Sequence, residues 1–257
     1  MTITEKALTA EQIVELKIRE AINKPEGVLS TEDLLQVTAL SFYGIKDECG
    51  CALVNLHGLA GCTNIEELDV MGNELTDIST VGDFKKLKKL ELHGNQLEDG
   101  QLQYLDGLTE LTHLSLGDNQ LTRIPDLKQY PKLNELSLCG LFQHDDLSGV
   151  ADAKDLQVLD IRDCRYQDLS ALEGLEKLEW VKNGEEQSNV PYSELERIAK
   201  IFGERFQDCS FGYDQYSHNE DELHSEQFYP EDEEQQDEGN NSGGLKPIGP
   251  DAIPTFD

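Results

Sequence analysis

Leu87-Lys88-Lys89-Leu90-Glu91-Leu92-His93-Gly94-Asn95-Gln96-Leu97 is followed 24 residues later by Leu111-Thr112-His113-Leu114-Ser115-Leu116-Gly117-Asp118-Asn119-Gln120-Leu121. Both stretches carry the frame Leu-x-x-Leu-x-Leu-x-x-Asn-x-Leu, and Ile65, Leu68, Val70, Asn73 and Leu75 repeat it with conservative changes. Counted from the first place of the frame, units start at Val37, Ile65, Leu87, Leu111, Leu133, Leu156 and Leu178, in steps of 28, 22, 24, 22, 23 and 22 residues. A hydrophobic period of this length marks a solenoid, in which each unit buries its apolar face only against its neighbours. Within a unit, x-Leu-x-Leu-x reads as a short strand whose leucines point in and whose alternate residues point out.

Between the strands, Ile78-Val81-Phe84, Ile124-Leu127 and Leu169-Leu172-Leu175 recur at three-residue spacing. That spacing suits 3₁₀ turns, whose side chains at i and i+3 share one side. The ninth place of the frame holds Asn73, Asn95 and Asn119. An inward amide there can satisfy turn backbone groups that no ladder partner reaches. Later units carry Leu141 and Cys164 instead. Cysteine can substitute for the amide, but leucine has no donor, so the turn at Leu141 is expected to be less regular. The first unit has Ile45 and a longer loop, Lys46 to Leu59.

The open ends of a solenoid need covers. Residues 10–23 read as an amphipathic helix with Thr9 as cap, Gln12 as its capping-box partner, and Ile13, Val14, Leu16, Ile18, Ala21 and Ile22 as the apolar face. A second short helix starts at Ser30, with Asp33 at its third position and Leu34 and Leu35 to bury. At the other end Pro191 opens a helix that aligns Leu195, Ile198, Phe202 and Phe206. The expected organisation is a helical cap over 1–36, a solenoid of about seven repeats over 37–188, a capping helix over 189–206 and an acidic, disordered tail over 207–257.

The formal charge of the 257-residue chain is −31, and residues 204–257 hold 15 acids against two bases. Eleven acids and no Lys or Arg lie between Asp214 and Glu238. Such a chain repels nucleic acid and anionic membranes, because phosphate binding depends on Lys and Arg displacing counterions. A basic partner is the electrostatically favoured one. The sequence shows no targeting segment and no long apolar run, so the expected compartment is cytoplasmic and the six cysteines read as free thiols.

The repeats resemble the 22-residue class of leucine-rich repeats in bacterial internalin-like proteins. The opening stretch adds to this: Leu16-Lys17-Ile18-Arg19-Glu20-Ala21-Ile22, Lys24-Pro25-Glu26-Gly27 and Thr31-Glu32-Asp33-Leu34 look like the helical cap before such arrays. Lys88-Lys89-Leu90-Glu91-Leu92 and Leu111-Thr112-His113-Leu114 also resemble, more weakly, the acidic leucine-rich nuclear phosphoproteins. The expected fold class is α/β: a right-handed leucine-rich-repeat solenoid with a parallel concave β-sheet, a short 3₁₀ or irregular convex side and helical caps. The resemblance implies a non-enzymatic, monomeric protein-binding module without cofactor. The alternative is a regulatory inhibitor or chaperone of a basic protein, or of an enzyme such as a phosphatase.

The outward places of the frame list the expected partner-binding residues: Tyr43; Glu67, Asp69 and Met71; Lys89, Glu91 and His93; His113 and Ser115; Glu135 and Ser137; Asp160 and Arg162; and Trp180. Tyr, Trp, Met and Arg among them are the types enriched in interface cores. Cys49, Cys51, His57 and Cys62 match no standard zinc spacing, and Cys62 falls where the frame needs an apolar residue. No metal site is therefore expected. Cys139 with His113 one strand away has the residue types of a nucleophile and base, but an open sheet offers no oxyanion site or water-excluding cleft.

Overall fold

The computed structural model describes residues 8–45, 50–183 and 190–203, together with the backbone of 207–208. Seven strands of three residues follow one another: β1 (Ala39–Ser41), β2 (Glu67–Asp69), β3 (Lys89–Glu91), β4 (His113–Ser115), β5 (Glu135–Ser137), β6 (Val158–Asp160) and β7 (Trp180–Lys182). All pair in parallel in sequence order. The register sets Leu40, Leu68, Leu90, Leu114, Leu136, Leu159 and Val181 side by side, so equivalent places of the frame are neighbours in the sheet. Parallel strands need a crossover between them. Here 3₁₀ turns supply it, including Ser79–Asp83, Asp99–Leu105, Leu127–Gln129, Ser148–Asp152 and Ser170–Leu172.

The inward residues form one continuous core. Leu68, Val70, Leu75, Ile78, Val81 and Phe84 of the second unit are all fully covered, and later units repeat the pattern. Each such leucine or isoleucine contributes about 1.5–3 kcal/mol by leaving water.

The asparagines weld successive turns together. Asn95 Nδ2 donates to its own turn at Leu92 O (2.9 Å) and to Val70 O of the preceding unit (3.0 Å). Its Oδ1 accepts from Leu75 N at 3.0 Å. Asn73 and Asn119 make the same set one unit down and one unit up. At Cys164 the thiol takes over the bond to the preceding unit, donating to Leu138 O at 3.1 Å.

At Leu141 the amide is missing and the turn changes. The extra residue of this 23-residue step lets His144 enter the core, where its Nδ1 lies 2.7 Å from the Tyr166 hydroxyl. Burial holds the His144 imidazole below its usual pKa and the Tyr166 hydroxyl above its own. The polar link lost with asparagine is replaced by a ring pair. In the first six units the eighth place of the frame has left-handed backbone: φ is +74° at Gly44, +70° at Gly72, +67° at Gly94 and +73° at Gly140, with Asp118 (+45°) and Asp163 (+57°) in the remaining two. Glycine adopts this region freely, and a short acidic side chain is among the few others that tolerate it.

Both helical ends are present. Helix α1 (Ala10–Ala21) has the Thr9–Gln12 capping box, and α2 (Thr31–Leu34) has the Ser30–Asp33 box. The buried face of α1 is narrower than its pattern suggests: Ile13, Val14 and Ile18 are covered, whereas Leu16 is 42% exposed. Helix α3 (Tyr192–Phe202) buries Leu195, Ile198 and Phe202; Phe206 lies outside the described residues. Its Glu194 carboxylate accepts from Leu169 N at 3.0 Å, tying the helix to the sixth unit. The sheet also runs one strand beyond the frame, into the segment assigned above to the tail: β8 (Gln207–Asp208) pairs with β7.

Replacing Asn95 by leucine keeps the branched outline of the side chain but leaves the Leu75 N–H unpaired and removes one of the two amide donors to each of the Val70 and Leu92 carbonyls. The expected cost is about 2 kcal/mol, from roughly 1–3 kcal/mol for the one buried group left unpaired. Chemical denaturation of the two proteins measures it.

Candidate protein-binding face

The outward places form three parallel rows across the sheet. The first runs Ala39, Glu67, Lys89, His113, Glu135, Val158, Trp180, and the second Ser41, Asp69, Glu91, Ser115, Ser137, Asp160, Lys182. The third holds Tyr43, Met71, His93, Gly117, Cys139 and Arg162. The expected residues are thus brought onto one face, but not as equals. Tyr43 is 54% exposed, and Glu67 and Arg162 also lie open. Met71, Lys89, His93, His113, Glu135, Ser137 and Trp180 are half-buried. Glu91 (8%), Ser115 (5%) and Asp160 (6%) are nearly covered. The alternation rule places those three on the outward face, yet longer neighbours shield them, as do the ion pairs of Glu91 and Asp160.

The centre of the face is an ion cluster across three strands. His113 Nε2 lies 2.9 Å from Glu91 Oε1, and its Nδ1 lies 2.5 Å from Glu135 Oε2. Lys89 Nζ approaches the same Glu91 oxygen at 3.5 Å. Burial by itself lowers the His113 pKa, but the Glu135 and Glu91 carboxylates outweigh it and hold the imidazolium up to about 9. Burial likewise raises Glu91, and His113 with Lys89 overcomes it, leaving that carboxyl at about 2. Glu135 is lowered chiefly by its bond to His113. The cluster is therefore a cation between two anions at neutral pH.

Beside it, His93 Nε2 lies 3.1 Å from Asp118 Oδ2. The His93 ring fits because residue 117 is glycine: a Cβ there would stand 2.6 Å from His93 Nδ1 and against the Cys139 carbonyl. Farther along, Arg162 grips Asp160 with Nε at 3.0 Å and Nη2 at 2.6 Å. The frame gave no reason to select Asp118; its place in a left-handed turn beside the sheet was the available signal. Phe142 was also missed. It is 48% exposed with the Arg165 guanidinium 5.9 Å above its ring, at a place where other units carry Glu74, Gln96 and Gln120.

The Cys139–His113 pairing is not assembled. Both ring nitrogens of His113 face carboxylates, and burial, reinforced by Asp160, pushes the Cys139 thiol up to about 12. Cys62 is a core residue whose pKa burial raises to about 11, and His57 pairs with Asp77 at 3.0 Å. Cys49 lies outside the described residues. Among the described residues, no three His, Cys, Asp or Glu side chains are grouped to hold a metal ion. A hollow of about 260 Å³ bordered by Asp145, Asp146, Ser148, Asp168 and Ser170 lies among the 3₁₀ turns, away from the sheet face. Its Asp146 and Asp168 carboxylates cap the turns, accepting from Ser148 N (2.8 Å) and Ser170 N (2.7 Å).

The cluster makes stability depend on pH in a defined direction. The His113 pKa is raised from 6.5 to about 9, so its contribution is complete below 6.5 and is lost as pH rises through about 9. Glu91 is lowered from 4.5 to about 2, so its contribution is complete above 4.5 and is lost as pH falls through about 2. NMR titration is expected to place the His113 midpoint near 9. His113→Gln is expected to weaken the alkaline decline in unfolding free energy expected of the parent. A His113 midpoint near 6.5 contradicts the cluster.

Residues 61–78 match the family described as Leucine Rich repeat. Among solved structures, an internalin (inlF) of Listeria monocytogenes superposes with a TM-score of 0.59 at 24% identity, over 71% of this chain and 54% of the internalin. A leucine-rich-repeat protein of Leptospira interrogans superposes with a TM-score of 0.52 at 20% identity, over 70% of this chain and 51% of its own. The chain thus spans about half the length of either protein. No curated protein matches it by sequence. No helix among the described residues is long and apolar enough to cross a membrane. Frame, register and these likenesses identify the fold as a leucine-rich-repeat solenoid of the kind found in the bacterial internalins.

Proposed function

We propose that this chain is a non-enzymatic protein–protein interaction module whose recognition surface is the concave face of the sheet. One observation carries the reading: a single parallel sheet presents Tyr43, Met71, Arg162, Trp180 and a series of charged groups in fixed rows on a packed scaffold. Side chains held on rigid strands bind with little ordering cost. Leucine-rich-repeat scaffolds serve widely as protein-binding surfaces, which agrees with this reading by fold analogy. The acidic run from Asp214 to Glu238 adds electrostatic capture of a basic partner, raising the association rate in a salt-sensitive way. The same run favours a second form of the function, as a regulatory inhibitor or chaperone of a basic protein.

Affinity capture from the native cell tests the reading. Combined alanine substitution of Glu67, Met71, Glu135 and Arg162 is expected to release the captured protein. The same treatment of Lys85, Glu98, Lys154 and Glu176, outside the outward rows, is expected to leave it bound. Retention by the first variant and loss by the second overturns the concave face. Affinity that stays flat from low to high salt overturns the role of the acidic run.

A further inference from the structure

The outward residues of the concave face are short at one place. Ser115 and Ser137 stand opposite each other on β4 and β5, and Gly117 and Cys139 follow them two residues on, where Asp118 N donates to the Cys139 carbonyl at 2.8 Å. Longer side chains surround this floor: Glu91 and His93 on the β3 side, Asp160 and Arg162 on the β6 side, and His113 with Glu135 along the first row. The charges of these walls are matched. His113 serves Glu91 and Glu135, Arg162 serves Asp160, and His93 lies against Asp118. The floor is different, because its polar groups have no counterpart. Ser115 is only 5% exposed, yet its hydroxyl makes no hydrogen bond among the described residues. Buried hydroxyls are nearly always paired, so this one marks a bond left for something outside the chain. The Ser137 hydroxyl and the Cys139 thiol beside it are also unbonded and only half-buried, which keeps the floor open from the concave side. At its edge His93 turns Nε2 to Asp118 (3.1 Å), leaving Nδ1 as an acceptor over Gly117.

We propose that this floor, Ser115 with Ser137, Cys139 and the His93 ring over Gly117, docks an uncharged side-chain amide, a Gln or Asn that a protein partner inserts into the concave face. The proposal rests on the concave face being the recognition surface and names the chemistry read at its centre. A primary amide carries an acceptor oxygen and N–H donors together, and these match the serine hydroxyls and His93 Nδ1. A purely aliphatic side chain covers the same groups and leaves them unpaired. A carboxylate or an ammonium sheds its water among walls whose charges are already matched, so no free countercharge offsets that desolvation. The Cys139 thiol, small and weakly polar, suits the methylenes of the entering side chain. Glycine at 117 keeps the floor low, since a Cβ there stands 2.6 Å from His93 Nδ1 and against the Cys139 carbonyl.

The test uses the full-length chain and three capped peptides of alternating serine and tyrosine that differ only in a central Gln, Leu or Lys. Each is titrated by NMR at high salt, which screens the acidic run. The Gln peptide is expected to bind about tenfold more tightly than the other two, the size of one hydrogen bond left unmade. Its largest shifts are expected at the amides of Ser115, Ser137 and Cys139. Ser115→Ala is expected to abolish that preference without lowering the melting temperature, because the hydroxyl it removes has no partner within the described chain. A lowered melting temperature shows that the hydroxyl is held internally and overturns the proposal. Retention of the preference by Ser115→Ala overturns it as well, as does failure of the Gln peptide to bind at millimolar concentration. Equal binding of the three peptides with shifts on the sheet overturns the amide site and leaves the concave reading standing. Shifts confined to the 3₁₀ turns overturn both.

Discussion

Everything in this molecule depends on one repeat being able to sit on the next without leaving a polar backbone group unpaired in the core. The apolar part of that fit comes from aligned leucines, which bury themselves only when a neighbour of equal pitch is present. The polar part comes from the asparagine amide, which joins the turn of its own unit to the unit before it through Nδ2 and accepts a backbone N–H through Oδ1. A backbone N–H left unpaired at that depth, as Leu75 N–H would be without Asn95, costs as much as the burial of a leucine side chain contributes. The amide is therefore as necessary to the stack as the leucines, although it buries little apolar surface.

The place where the ladder lapses shows how the constraint is met by other means. Leu141 cannot donate, and the structure answers with a shifted turn, a buried His144 and its contact to Tyr166. Cys164 then resumes the inter-unit bond through sulfur. The stack tolerates chemical substitution at this place because a polar link between successive units can be made by other groups. Helix α1 follows the same logic, since it covers the first unit, which has a neighbouring repeat on one side only.

The rigid stack is what gives the concave face its chemistry. Strands about 4.8 Å apart in exact register bring residues 22 to 24 positions apart within ion-pair reach. Glu91, His113 and Glu135 are distant in the chain and adjacent in the sheet, and their mutual neutralisation follows from that spacing. One face consequently holds a charge-satisfied centre and an N-terminal end where Glu67 lies open. That difference has no counterpart in the repeating frame.

The amino-acid sequence by itself determined the period, the strand positions, the inward and outward places and both capping boxes, because each depends on local spacing: the frame for the leucines, and three residues for Thr9–Gln12 and Ser30–Asp33. It also located the irregular turn at Leu141. Tertiary structure alone decided which outward residues are open and which are spent on one another. Glu91, Ser115 and Asp160 have the same pattern signature as Glu67, yet they are nearly covered, because exposure depends on the length and charge of the residue one strand away. Strand β8 and the entry of His144 into the core were likewise invisible, since each is set by a partner more than twenty residues distant. Periodicity carries the backbone; the neighbour across the register decides what each side chain is free to do.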